Sequence, residues 1–538
     1  MQKVKALALS LLPMLGAVGV MWTATPTPCQ TAEASTGGSS ENLEKICPAD
    51  EPRMDKNRYL RALSLDLRGY GPSEEEYMSL AQSDDVPDVT LDAWLDDTHF
   101  VERVQRLHQA LLWNNVTAVR LISDNMRLGA SSSLYYRSTL AQTQRGLRVP
   151  CQDKPQDSIG WDEDGYPLME TLSDGSRREG YVMTTPYWAP TTSIKVCALD
   201  AQTWSTSRTT GVACGVESTS RDLSCGCGPN LMWCGRSEDE KAVLEGFAQD
   251  VRLRIADVIA NDRSYLELFT QHTMYVNGPM VHYFRNQSRT FGQVRLQPLP
   301  VKLEVLPDLK YADTQFVPVP LGAEHAGVLT APAYLLRFMT NRARANHFFN
   351  DFMCQPFVPP EGGIPVTAPP TLDLQEREGC KYCHAMLEPS ASYWGRWGES
   401  GAGYLPEERF PALRDDCLSC AQKGGCSDEC SRFYVVKALT SEETPWLGKL
   451  RWYEFRHEEH EVNVEEGPSL LASHGVMDNR LPTCVARRAS EWLLGRALTS
   501  DDDEEWLKER ADHFRQSGYS YKSLVRDIVT SSVYRRVQ

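Results

Sequence analysis

At 538 residues, with 41% apolar and 24% charged side chains, the chain is long enough for several domains with real cores. Acidic residues outnumber basic ones 72 to 56, a formal net charge of −16, which speaks against a nucleic-acid partner and against adhesion to anionic membranes. With 13 Trp, 21 Tyr and 15 Phe it is no disordered tail, and without repeats or a second long apolar run it is no collagen, coiled coil or polytopic membrane protein.

The N-terminus reads as an export signal. Lys3 and Lys5 precede an apolar run from Ala6 to Met21, broken by Pro13 and Gly16. The run is slightly short for a membrane span, and an uncleaved anchor is the alternative. Ala32-Glu33-Ala34 fits small-x-small cleavage, so residues 1–34 are expected to be a signal peptide and 35–57 a polar linker. Cys29 follows Thr-Pro-Thr-Pro, which does not suit a lipoprotein signal. The expected location is the periplasm or cell surface, with association to a bacterial envelope.

Helical patterning begins next. Leu60, Leu63 and Leu67 share a face, Gly69 ends the run, and Ser73 with Glu76 forms a capping box. Phe100, Val104, Leu107 and Leu111 step by 4, 3 and 4, which predicts one helical stripe with His108 beside it as a satisfied core or boundary residue. From 127 to 235 the texture changes to Asp-Gly turns and β-rich pieces such as Tyr181–Thr185, which suggest hairpins held by disulfides. Asp162-Glu163-Asp164-Gly165 lacks the spacing of a calcium loop and is expected to be a turn.

Helix returns with Leu244, Phe247, Val251, Ile255 and Val258, and is broken by Pro-rich residues 297–320. A further helical block spans Pro332–Phe352, followed by a Pro/Gly loop over 356–370. Near the C-terminus Ser500 caps a helix whose acidic first turn suits the positive end of its dipole. Leu507, Ala511 and Phe514 form its inner face, and Gly518 stops it. The expected fold class is mainly α. The expected domains are helical at 58–126, a Cys-rich insert at 127–235, helical with a Pro-rich connector at 236–320, haem-binding at 321–405, Cys-rich at 406–450 and helical at 451–538.

Sixteen cysteines include two clusters, five between Cys197 and Cys234 and four between Cys417 and Cys430. Outside the cytosol such clusters are expected to be disulfide staples, with connectivity left open. Cys417, Cys420, Cys426 and Cys430 have a spacing zinc could use, but export favours disulfides.

One motif carries chemistry. Cys380-Lys381-Tyr382-Cys383-His384 is CxxCH, the attachment signature of c-type haem. Two thiols three positions apart can reach the two vinyl groups on one porphyrin edge, and the adjacent histidine presents its imidazole to iron. From composition, a chance CxxCH has a probability of about 1%. A disulfide, zinc or an iron–sulfur cluster are the alternatives.

With CKYCHAMLEPSASYWGRW, the segment from Gly327-Val328-Leu329-Thr330 resembles the planctomycete-type cytochrome c domain (PSCyt), in which CxxCH is followed by a short "mDP" motif. Here that motif reads Met386-Leu387-Glu388-Pro389, with Glu in the acidic place. RYLRALSLDLRGYGPSEEEY, YLELFTQHTMYVNGPMVHYF and the C-terminal stretch beginning LPTCVARRASEWLLGRALTS resemble the PSD-type helical companions of that domain. The resemblance covers about half the chain and implies a secreted, mostly helical protein of a group largely without assigned function.

The expected function is that of an exported mono-haem cytochrome, with one covalent haem c on Cys380 and Cys383, His384 as proximal iron ligand, and a redox partner protein. Alternatives are a haem peroxidase or oxygenase, and a cell-surface binding or assembly protein with structural haem or none. No hydrolase elbow, His-Glu-x-x-His motif or Walker loop occurs. Met477 is the leading candidate for a distal ligand, with Met353 and His474 behind it. His457 and His460, in an acidic run, are expected on a solvated surface.

Overall fold

The computed structural model describes residues 53–294, 296–357, 361, 373–438, 441–451 and 460–536. The expected signal and linker up to residue 52, with Cys29 and Cys47, lie outside them, as does His457.

Helix α1 (Lys56–Leu67) starts where the Asp55 carboxylate accepts from the Asn57 and Arg58 amides, and it buries Tyr59, Leu60, Leu63 and Leu67. Gly69 takes the left-handed conformation that ends it, at φ +84°. Ser73 and Glu76 form the capping box of α2 (Glu74–Ala81), and α3 (Asp88–Leu95) follows. In α4 (Thr98–Leu112) the inner stripe is Phe100, Val104, His108 and Leu112, with Leu107 and Leu111 only half buried. The stripe is thus rotated relative to the expected one because His108 belongs to the core. Its Nδ1 donates to the Val104 carbonyl at 2.8 Å, so Nε2 accepts from the Tyr265 hydroxyl at 2.7 Å.

Residues 127–235 form short elements: β1 (Leu128–Ser131), β2 (Leu134–Arg137), α5 (Ser138–Arg145), β3 (Glu170–Thr171), β4 (Arg177–Arg178), β5 (Tyr181–Thr184) and β6 (Ile194–Cys197). One sheet has the order β1-β2-β6-β5, with β2 and β6 parallel and its other pairs antiparallel; β3 and β4 make a hairpin. Disulfides Cys151–Cys197, Cys214–Cys225 and Cys227–Cys234 staple this region. Its centre is ionic as well as apolar: Arg137 binds Asp200 and Arg145 binds Glu179, all four side chains out of contact with water. Asp162–Gly165 is a turn, in which the Asp162 carboxylate accepts from the Asp164 and Tyr166 amides.

The long helix α6 (Ser237–Ala260) buries Val243, Leu244, Phe247, Val251, Ile255 and Val258, and packs against α4. After α7 (Glu267–Thr270), strand β7 (Thr273–Val276) pairs antiparallel with β8 (Val317–Pro320) across α8 (Gly278–His282) and the Pro-rich connector. Then come α9 (Pro332–Arg337), α10 (Asn341–Phe352), α11 (Lys381–Ser392), α12 (Asp415–Lys423) and α13 (Asp428–Phe433). The chain closes with α14 (His460–Glu466), α15 (Pro468–Met477), α16 (Arg480–Leu494), α17 (Asp501–Gln516) and α18 (Tyr521–Thr530). Ser500 and Asp503 form the capping box of α17, whose Leu507, Ala511 and Phe514 are buried.

About 47% of the described residues are helical, and with three small sheets among them the class is mixed rather than mainly α. The sheets sit where short strands are cross-linked or paired across loops, and apolar periodicity carries little signal over two to four residues. Met54–Arg535 folds as one compact unit, and its main apolar core runs from Tyr59 to Tyr534. A satellite core of Leu405, Phe410, Phe433, Tyr434 and Leu450 surrounds disulfide Cys417–Cys430. Cys354–Cys484 joins the end of α10 to α16 and closes a loop of 130 residues around α11–α15.

Replacing Cys354 and Cys484 together by alanine is expected to lower stability by about 2–5 kcal/mol, the range for a native cross-link closing a long loop; urea unfolding checks it. Burial holds the His108 pKa down, from 6.5 to about 4. The folded state therefore refuses a proton that the unfolded chain accepts. That contribution is fully present above pH 6.5 and lost as pH falls toward 4, by about 3 kcal/mol. In urea titrations between those pH values, His108→Gln is expected to flatten the slope.

Candidate functional site

The CxxCH segment lies at the start of α11. A series of turns from Asp373 leads into it, with Gly379 at φ +81° supplying the left-handed residue just before Cys380. The Cys383 and His384 amides both donate to the Cys380 carbonyl, at 3.1 and 3.0 Å, so the motif is itself the first helical turn. Positions i, i+3 and i+4 share one helical face, which puts Cys380, Cys383 and His384 side by side. All three are partly exposed, and Tyr382 beside them is 61% exposed.

Disulfides take up twelve of the fourteen cysteines among the described residues, while Cys380 and Cys383 keep their thiols. Cys417 pairs with Cys430 and Cys420 with Cys426, so this cluster offers no thiolate to zinc. Two groups among the described residues bring three potential ligand atoms within 4.8 Å of one another, Cys151/Glu179/Cys197 and Asp416/Cys417/Cys430. In both, the sulfurs belong to disulfides. Cys380, Cys383 and His384 are not such a group. Their donor atoms do not gather on one point as a three-ligand ion site requires.

The histidine is oriented from one turn further along. His384 Nδ1 lies 2.5 Å from Glu388 Oε1, and Arg342 Nε from α10 donates to the same oxygen at 2.6 Å. The Glu388 side chain is only 4% exposed, against 23% for His384 and 52% for Arg342. An ionised carboxylate only accepts, so Nδ1 carries the hydrogen and, in the neutral ring, Nε2 keeps the lone pair a metal would take. Pro389 follows inside the helix, where it has no amide to donate to the Ala385 carbonyl.

Around this turn the protein is heavily braced. Buried Arg344, two residues beyond Arg342, donates to the carbonyls of Phe338, Trp397, Gly398 and Gly401 and to Asn341 Oδ1 at 2.7–3.2 Å. Burial lowers its pKa to about 10, which leaves it charged at neutral pH. It ties α10 to the loop that follows α11. At the other end of α11, Trp394 Nε1 donates to the Leu329 carbonyl at 3.0 Å and the Tyr393 hydroxyl meets His474 Nδ1 at 3.0 Å. Asn463 of α14 donates to the Pro389 carbonyl, and Gly395 leaves room for Val464, whose methyls would lie 2.8 Å from a Cβ there.

The candidate distal ligands are scattered. Met477 ends α15 and is 73% exposed. Met353 is buried against Gly475, as core packing requires. His474 is engaged by Tyr393, which follows α11 nine residues beyond His384, about 13 Å along a helix. His460 is 6% exposed at the start of α14, not on the solvated surface expected of it, because α14 packs its inner face on α11. The roles of Glu388 and Arg342 emerge only from the structure. The four-residue spacing of His384 and Glu388 was a signal for the first, whereas nothing local pointed to Arg342, 46 residues upstream.

No family model matches the chain, and no curated protein and no solved structure matches it.

Arg344→Met is expected to destabilise the protein by about 3 kcal/mol or more, since it strands several buried carbonyls at once. Arg344→Lys should fall between, because an ammonium has three donors against the five of a guanidinium. Denaturant unfolding of both variants checks the order.

Proposed function

We propose that the protein is an exported c-type cytochrome that carries one haem on Cys380 and Cys383, has His384 as proximal iron ligand, and passes single electrons to a redox partner protein. The observation that carries this reading is the first turn of α11, where two thiols and an imidazole share a partly exposed face and Glu388 fixes the imidazole by Nδ1. The donor set, two thiols and an imidazole on one helical turn, is that of a thioether-linked haem. When bound, the haem would supply an iron couple that gains and loses one electron. The chain's own part is to hold the ring nitrogen in place, keep the helix rigid and shield the inner side of the site.

Six disulfides among the described residues support an oxidising compartment, where haem c is attached and where the Lys-flanked apolar N-terminus would direct the chain. The resemblance of the motifs in residues 327–397 to the planctomycete-type cytochrome domain points the same way.

Expression of the whole chain in cells with a haem c maturation system is expected to give a band that stains for haem on a denaturing gel, with one haem per chain. Replacing both Cys380 and Cys383 by alanine should abolish the stain while the disulfide-stapled fold persists. A folded, secreted wild-type protein without covalent haem would overturn the reading.

A further inference from the structure

The carboxylate of Glu388 has an unusual position for a helix-surface ion pair. It sits one turn after His384 on the same face, yet it is withdrawn from water, and a single oxygen, Oε1, receives both the imidazole Nδ1 and the Arg342 Nε. A buried carboxylate interacts strongly with its neighbours, because little water screens it. An imidazole that donates to a full negative charge becomes a stronger electron donor through its other nitrogen. A group held by that nitrogen is then stabilised in its more positive, oxidised state. Arg342 works against this. Its guanidinium shares the same oxygen and draws charge away from the imidazole, and it reaches the site from α10, half exposed to solvent.

We infer that Glu388 is a positioning and tuning residue for the proximal histidine: its carboxylate lowers the reduction potential of the bound haem, and Arg342 moderates that effect. This rests on the proposed haem attachment at Cys380, Cys383 and His384. The two residues therefore act with opposite sign. Glu388→Gln keeps an oxygen that can accept from Nδ1, so the ring stays oriented while the negative charge is removed. Arg342→Gln leaves the carboxylate with the imidazole and removes the opposing charge. A purely structural role in joining α10 to α11 would have no such sign, since either substitution would loosen the same contact.

The test is a redox titration of the holoprotein, followed by its visible spectrum, for wild type, Glu388→Gln and Arg342→Gln, with covalent haem counted in each. Glu388→Gln is expected to raise the ferrous-to-ferric ratio at a fixed ambient potential at least tenfold, about 59 mV for a one-electron couple. Arg342→Gln is expected to lower that ratio. Because Arg342 is half exposed, its variant folds even if Glu388→Gln does not, and its shift alone then decides the matter. Haem-loaded variants whose potentials do not move, or move in the same direction, overturn this inference and leave the proposed function standing. A wild-type protein without haem removes both.

Discussion

A carboxylate cannot be taken out of water unless cations and donors come to meet it, and Glu388 is the place where this protein meets that demand. Its neighbours are fixed as a consequence. His384 must lie one turn earlier on the same helix, and α10 must run close enough for Arg342 to reach across. Side chains two apart on a helix point in different directions, so α10 can present Arg342 to Glu388 and Arg344 to the loop beyond α11. Two guanidiniums on one helix thus clamp both α11 and the segment after it.

The rest of the molecule is a scaffold for that clamp. Cys354, just past α10, is bonded to Cys484 in α16, so the whole segment bearing α11 is anchored at both ends to the main core. The satellite core with its two disulfides supports α11 from the far side through Val464, which belongs to α14 and rests against Gly395. Bidentate Arg396–Glu465 joins the same two segments at 2.9 and 2.7 Å. A helix held so firmly can place an imidazole without depending on loop conformation.

Much of the helical architecture was legible because apolar spacing and capping residues are local properties. Ser73 with Glu76, the stripe from Leu244 to Val258, and Ser500 with its acidic turn all take the positions their sequence implies. Where a polar residue belongs to the core, the local pattern misleads. His108 displaces Leu107 and Leu111 from the α4 stripe because Tyr265, 157 residues away, satisfies its second nitrogen. The buried His460 is a second case, an acidic-run histidine taken inward by helix packing.

By itself the amino-acid sequence determined the motif, its helical spacing, the abundance of cysteine and the capped helices, since each depends on residues within a few turns of one another. It also placed Glu388 four residues after His384. Only the tertiary structure decided which cysteines pair, that Glu388 is buried, and that Arg342 shares its oxygen with the imidazole. Those outcomes depend on chain segments tens to hundreds of residues apart. Burial and electrostatics are set by what those segments bring into contact, and no local pattern encodes it.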